Sequence, residues 1–180
     1  YRLIDSVIYS FHMPLFFFLS GLFFVRSLER QGSCRLVAGK VDSIAYPYLV
    51  WSVIQGTVEV LLSRFTNGNV TMGEVAGLLW QPRAHFWFLY ALFFVMLLAT
   101  PIYGRLNGRW NFAVTAVAVL ANVFRDSMPG GIPVNFIYKY FVFFALGISA
   151  APLISGLAEK PRWLSLVVLL AFVALQFAFH

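Results

Sequence analysis

The sequence predicts an all-α protein, a polytopic transmembrane helix bundle with about six spans. Three observations carry that reading. The chain of 180 residues is 61% hydrophobic and only 11% charged, where soluble domains average about 45–50% and about 25%. Its mean hydropathy is +0.80. Its apolar residues fall in long runs, without the strict alternation of a membrane β-strand. A soluble surface needs more Lys, Glu, Asp and Arg than this chain has. Disorder is excluded too, because low hydrophobicity is its signature. The 20 Phe, 8 Tyr and 5 Trp suit apolar helices with aromatic belts.

A spanning helix needs about 20 predominantly apolar residues. Six segments come close: Val7–Val25, Ala45–Leu62, Phe86–Tyr103, Trp110–Phe124, Phe136–Ile154 and Trp163–Phe179. In the first, Pro14 lacks an amide hydrogen and crowds the carbonyl of Ser10, which predicts a kink. Ser20-Gly21 offers that helix a small face for close packing. The fourth segment is short and needs flanking residues to complete a span. The connections hold the turn formers: Gly32, Asn67-Gly68-Asn69, Asn107-Gly108, Pro129-Gly130-Gly131 and Pro161. No internal repeat, low-complexity tract or long linker divides the chain, so residues 1–180 read as part of a single transmembrane domain. The chain begins with Tyr1 and carries no signal-peptide pattern, which predicts an internal fragment of a longer protein.

Loop charge predicts orientation. The first, third and fifth connections hold Arg26, Arg30, Arg35, Lys40, Arg105, Arg109, Lys160 and Arg162. The second and fourth hold only Arg64, Arg83 and Arg125. Eight basic residues against three place the odd loops in the cytoplasm and Tyr1 outside. In a membrane chain that asymmetry also accounts for the net charge of +6, which in a soluble chain would suggest nucleic acid. Cys34 is the only cysteine, so no intrachain disulfide can form.

Ionisable groups inside spans are costly and are functional candidates by default. His12 lies inside the first segment, Glu59 near the end of the second, His85 just before the third and Lys139 near the start of the fifth. With the orientation above, all four fall in the outer half of the membrane. The sharp reading is a polar, water-accessible cavity opening outward. The bland one is that residues near helix ends snorkel to the interface, which suits Lys139 better than the short side chain of His12. Arg30, Arg35 and Lys40 divide likewise: either a topology signal attracted to anionic lipid, or ligands for a phosphate-bearing substrate. No GxGxxG, Walker A, HExxH or CxxC motif is present, so the sequence predicts no metal, nucleotide-hydrolysing or nucleic-acid site.

The stretch Ser10-Phe11-His12-Met13-Pro14-Leu15-Phe16-Phe17-Phe18-Leu19-Ser20-Gly21 resembles the membrane-bound acyltransferase family 3, integral-membrane O-acyltransferases that in bacteria mostly modify carbohydrates. Three further pieces agree in order and spacing. They are the basic loop, Tyr46-Pro47-Tyr48-Leu49-Val50-Trp51, and His85-Phe86-Trp87-Phe88-Leu89-Tyr90. The resemblance implies a bundle of about ten helices in a multi-pass protein of the bacterial inner membrane. It implies transfer of an acyl group, usually acetyl from cytoplasmic acetyl-CoA, to a sugar or glycan hydroxyl at the other face. It also implies a preceding helix carrying the Arg/Lys-to-His motif regarded as catalytic, which this chain lacks, so the fragment is not expected to be active alone. The chain departs from the family's Arg-x-x-Arg pair, having Lys40 and Ser43 in those places, so Arg30, Arg35 and Lys40 are expected to share the contact with the acyl-CoA phosphates.

Acyl transfer needs a base for the alcohol proton and donors for the developing oxyanion. His titrates near neutral pH and suits the first role. The expected catalytic group is therefore His12 and His85, with Glu59 orienting one of them. A kinked helix with intramembrane charge would equally serve a transporter or flippase for a polar solute. A purely structural or sensory subunit is the third possibility.

Overall fold

In a computed structural model, the described residues are 2–62, 86–106 and 108–157, with Gly73, Gly77 and Pro82, and side chains are described from His12 onward. The expected segment Trp163–Phe179 lies outside the described residues. Those described are helical almost throughout. The helices are α1 (Arg2–Gln31), α2 (Ser33–Lys40), α3 (Tyr46–Leu62), α4 (Trp87–Arg105), α5 (Asn111–Val123) and α6 (Ile132–Leu157).

Helix α1 continues through Pro14 and ends at Gly32, whose φ of 75° is a left-handed conformation that glycine adopts without strain. The expected first loop, Arg26–Ile44, is therefore a correction. Its residues extend α1, turn at Gly32 and re-enter helix at Ser33. A π-helical turn over Val41–Ala45 then joins α2 to α3. Such a widened turn fits its place, because Pro47 has no N–H for the carbonyl of Ser43 and would crowd it in a regular helix. The sequence signal was a stripe recurring every fourth residue. Leu36, Ile44, Tyr48, Ser52 and Gly56 are buried, and Lys40 completes the series half-buried. Charge at Arg35, Lys40 and Asp42 disguised that stripe as a loop.

Pair contacts set the topology. On α1 and α4, Phe16 meets Phe88 with ring centroids 5.6 Å apart, and Phe24 meets Tyr103 at 6.4 Å. On α1 and α6, Phe17 stacks on Tyr140 at 4.8 Å and Phe24 meets Phe144 at 5.1 Å. These three helices run parallel. The rod formed by α2 and α3 runs the other way, with Ser33 beside Gly104 and Tyr48 on Tyr90 at 5.6 Å. Helix α5 is also antiparallel to α6, since Thr115 bonds Ala145 and Ser149 while Asn122 bonds Tyr138 and Lys139. The bundle thus has a basic end, near Ser33 and Gly104, and an aromatic end, near Phe17 and Trp87.

Two of the described helices are long and apolar enough to cross a membrane, Trp87–Arg105 and Ile132–Gly156. Helix α5, at 13 residues, is about 20 Å long at 1.5 Å per residue, short as its sequence suggests.

The core centres on α1 against α6. A Cβ at Gly21 would overlap the carbonyl oxygen of Phe144, and one at Gly147 would overlap that of Phe18. Expected from Ser20-Gly21, this close approach needs small residues on both helices. Phe17, Phe144, Val95 and Ile148 are fully buried around it. Replacing Gly21 or Gly147 by Ala is predicted to cost about 1–3 kcal/mol, as for overpacked cores. At Gly39 an added Cβ meets nothing within 4 Å, and Ala there is predicted to add about 0.5–1 kcal/mol. Thermal unfolding of the full-length protein in detergent checks the opposite signs. A Gly21→Ala variant as stable as wild type would contradict the backbone contact.

Candidate active site

Residues proposed for chemistry divide between the two ends. His12 is half-buried on α1, five positions before Phe17 and so about 7.5 Å further toward the aromatic end at 1.5 Å per residue. The wall there is aromatic. Trp87 stacks on Phe136 at 5.5 Å and lies 5.4 Å from Tyr140, which itself stacks on Phe17. Aromatic pairs in these geometries contribute about 0.5–1.5 kcal/mol beyond the area they bury. They tie α1, α4 and α6 together next to the His12 segment. His85 lies outside the described residues, while its neighbours Phe86 and Trp87 are half-buried at the start of α4. Glu59 is exposed on α3, and its carboxylate oxygen accepts a hydrogen bond of 2.9 Å from Gln55 Nε2 one turn earlier. That bond fixes the carboxylate on its own helix.

The three residues proposed for the donor do not sit together in one loop. Arg30 is exposed in the last turn of α1 and Arg35 is exposed in the first turn of α2. Lys40 lies seven residues beyond Ser33, about 10 Å along the rod from the basic end at 1.5 Å per residue. It is half-buried, within the stripe that packs toward α4.

Between these positions the basic end holds a cavity of about 300 Å³ lined by Leu28, Glu29, Ser33, Tyr103, Gly104 and Asn111, with Val25, Gly32, Leu106 and Gly108. Sequence reasoning did not find it, since α1, α2, α4 and α5 each give one edge and no local spacing links Glu29, Tyr103 and Asn111. Its lining mixes a carboxylate, two hydroxyls and an amide with aliphatic carbon. Tyr103 is buried to 7% exposure, and its hydroxyl has no hydrogen-bond partner among the described residues. Arg30, Arg105 and Arg109 are each next in sequence to a lining residue. The arrangement can therefore accept a hydrogen-bonding, partly apolar group.

Among the described residues no group of three or more His, Cys, Asp or Glu is placed to hold a metal ion. The family model for the acyltransferase domain matches residues 1–180. The chain belongs to the acyltransferase 3 family. It is 30% identical over 160 residues to nodulation protein NolL of Sinorhizobium fredii (strain NBRC 101917 / NGR234), covering 86% of this chain and 40% of NolL. The chain thus spans less than half the length of that relative. No solved structure matches it. For this acyltransferase 3 chain, the half-buried His12 lies in the stretch that carried the resemblance, at the end opposite Arg30, Arg35, Arg105 and Arg109.

The orphan hydroxyl gives a prediction that needs no substrate. Tyr103→Phe removes a buried polar atom that costs about 1–3 kcal/mol when unpaired. The variant is predicted to melt no lower than wild type in the full-length protein. A clear fall in melting temperature would show that the hydroxyl has a structural partner.

Proposed function

We propose that this chain is part of an integral-membrane O-acyltransferase, which moves an acetyl group from cytoplasmic acetyl-CoA to a hydroxyl of a carbohydrate or glycan at the opposite face. One observation supports the reading beyond family membership: Arg30, Arg35, Arg105 and Arg109 lie at one end of the bundle and the His12 segment toward the other. A donor and an acceptor approaching from two sides need that separation. A membrane setting is supported by α4 and α6. It is also supported by the many large apolar side chains left exposed, such as Phe23, Trp51, Phe112, Val117, Val123 and Leu153.

The chemistry follows from the groups present. The acceptor oxygen attacks the thioester carbonyl carbon as His12 takes the hydroxyl proton. The new C–O bond forms, the C–S bond breaks, and the thiol of coenzyme A leaves with a proton returned by the imidazolium. His85 is proposed as the second histidine on the acceptor side, with Glu59 balancing charge. Coenzyme A carries a 3′-phosphate and a pyrophosphate, and Arg30, Arg35 and Lys40 are proposed to hold them. The half-buried position of Lys40 supports binding over a topology signal. A lysine needed only for net charge in a loop would not stand in the buried stripe of a helix.

Two experiments test the proposal in the full-length protein. His12→Ala is predicted to abolish or cripple acetyl transfer with folding intact, and near-normal turnover would exclude His12 as the base. Arg35→Gln or Lys40→Gln, each with a lysine added elsewhere on the basic face, is predicted to weaken acetyl-CoA binding by about 1–3 kcal/mol per charged hydrogen bond lost. Unchanged affinity in both would make these residues a topology signal. A transporter would deliver its solute with unchanged mass, whereas an acetyltransferase adds one acetyl group, so mass spectrometry of the product separates the two.

A further inference from the structure

A second polar cavity, of about 390 Å³, opens at the aromatic end of the bundle. It is lined by Arg125, Asp126, Met128, Gly130, Asn135 and Lys139. The connection after α5 and the first turns of α6 build it. None of these residues has a part in the acyl-transfer chemistry above. Two lining side chains are cationic and one is anionic, a formal balance of +1 (2 − 1).

A lysine near a helix end ordinarily extends into water. Lys139 is exposed, and its ammonium stands 5.3 Å from the ring centroid of Tyr140, within cation–π range. That ring is itself fixed, since Tyr140 is buried and stacks on Phe17. The backbone is fixed too, because Asn122 Nδ2 donates to the carbonyl of Lys139 at 3.0 Å. Arg125 reaches Asp126 through Nε at 3.5 Å, with both side chains well exposed. Such an exposed pair contributes little. The terminal nitrogens of the guanidinium form a separate set of donors, suited to two-point recognition of phosphate or carboxylate. The cavity therefore presents a positioned ammonium, a guanidinium fork and the amide of Asn135 around one space. Tyr140 and Phe17 connect it to the helix segment that carries His12.

We propose that this cavity binds an anionic group (a phosphate or carboxylate) on the acceptor, so that a neighbouring hydroxyl is presented toward the His12 segment. Naming the bound molecule an acceptor rests on the acyl-transfer reading, whereas the anion site itself does not. An anionic lipid head group offers the same chemistry and is the alternative occupant.

The test uses full-length protein in nanodiscs of zwitterionic phosphatidylcholine, without acyl donor. Glucose 6-phosphate and glucose are titrated separately by calorimetry. The sugar phosphate is expected to bind at least about tenfold more tightly, the effect of one charge-assisted hydrogen bond. Lys139→Gln and Arg125→Gln are each expected to remove most of that preference, while Lys139→Arg retains it and all three melt like wild type. Equal affinity for the two sugars overturns the site, as does a preference that survives both Gln variants. Loss of sugar-phosphate binding when phosphatidylglycerol is added to the discs, at matched ionic strength, assigns the cavity to a lipid head group and overturns the acceptor role. Acyl transfer is measured in parallel. Turnover without the anion preference refutes this site alone, and the preference without turnover refutes the reaction alone.

Discussion

The contact between the backbones of α1 and α6 organises everything else in the bundle. Gly21 and Gly147 are both buried where the helices meet, and each faces a carbonyl of the other helix, those of Phe144 and Phe18. Lipid tails are as apolar as leucine, so burial alone gives membrane helices little reason to associate. Close backbone approach supplies dispersion that lipid cannot match. Phe17 and Phe24, one turn to either side of Gly21, then find Tyr140 and Phe144 within stacking distance. Trp87 and Tyr103 of α4 join those rings at opposite ends.

Polar side chains fix the remaining helix. Thr115 Oγ1 lies 2.8 Å from Ser149 Oγ and 3.2 Å from the carbonyl of Ala145. Asn122, seven residues on and so on the same face of α5, donates to two carbonyls of α6. Interhelical bonds of this kind contribute about 0.6–2 kcal/mol in membranes. They set the register of a helix whose 13 residues are otherwise mostly alanine and valine, with outward faces at Val117 and Val123 exposed.

The consequence for function lies in the rod that begins at Ser33. A flexible basic loop could present its charges anywhere near the membrane surface. A helix starting beside Gly104 and packing along α4 gives each charge a depth. Arg35 stays at the basic end and Lys40 moves inward toward the middle of the bundle. The π-helical turn before Pro47 lets the same rod continue as α3, because it relieves the clash that a proline makes with the carbonyl four residues earlier.

Composition and hydropathy were enough to anticipate an all-α fold, and two of the described helices are long and apolar enough to cross a membrane. Five of the six apolar segments correspond to described helices, with ends shifted by a few residues where caps and turns decide. Gly21 was legible as a packing position, since small residues in an apolar helix have few other uses. The motif around His12 was legible as family resemblance. The helical course of Arg26–Ile44 was not, because its charges outweighed a stripe recurring only every fourth residue. Nor were the cavities at either end. Glu29, Tyr103 and Asn111 stand on separate helices, Arg125 lies in the connection after α5 and Lys139 on α6, and packing brings each set to a common space. Depth was likewise a tertiary decision: Lys40 is one charge among several in the chain, and the antiparallel contact of Ser33 with Gly104 is what carries it inward.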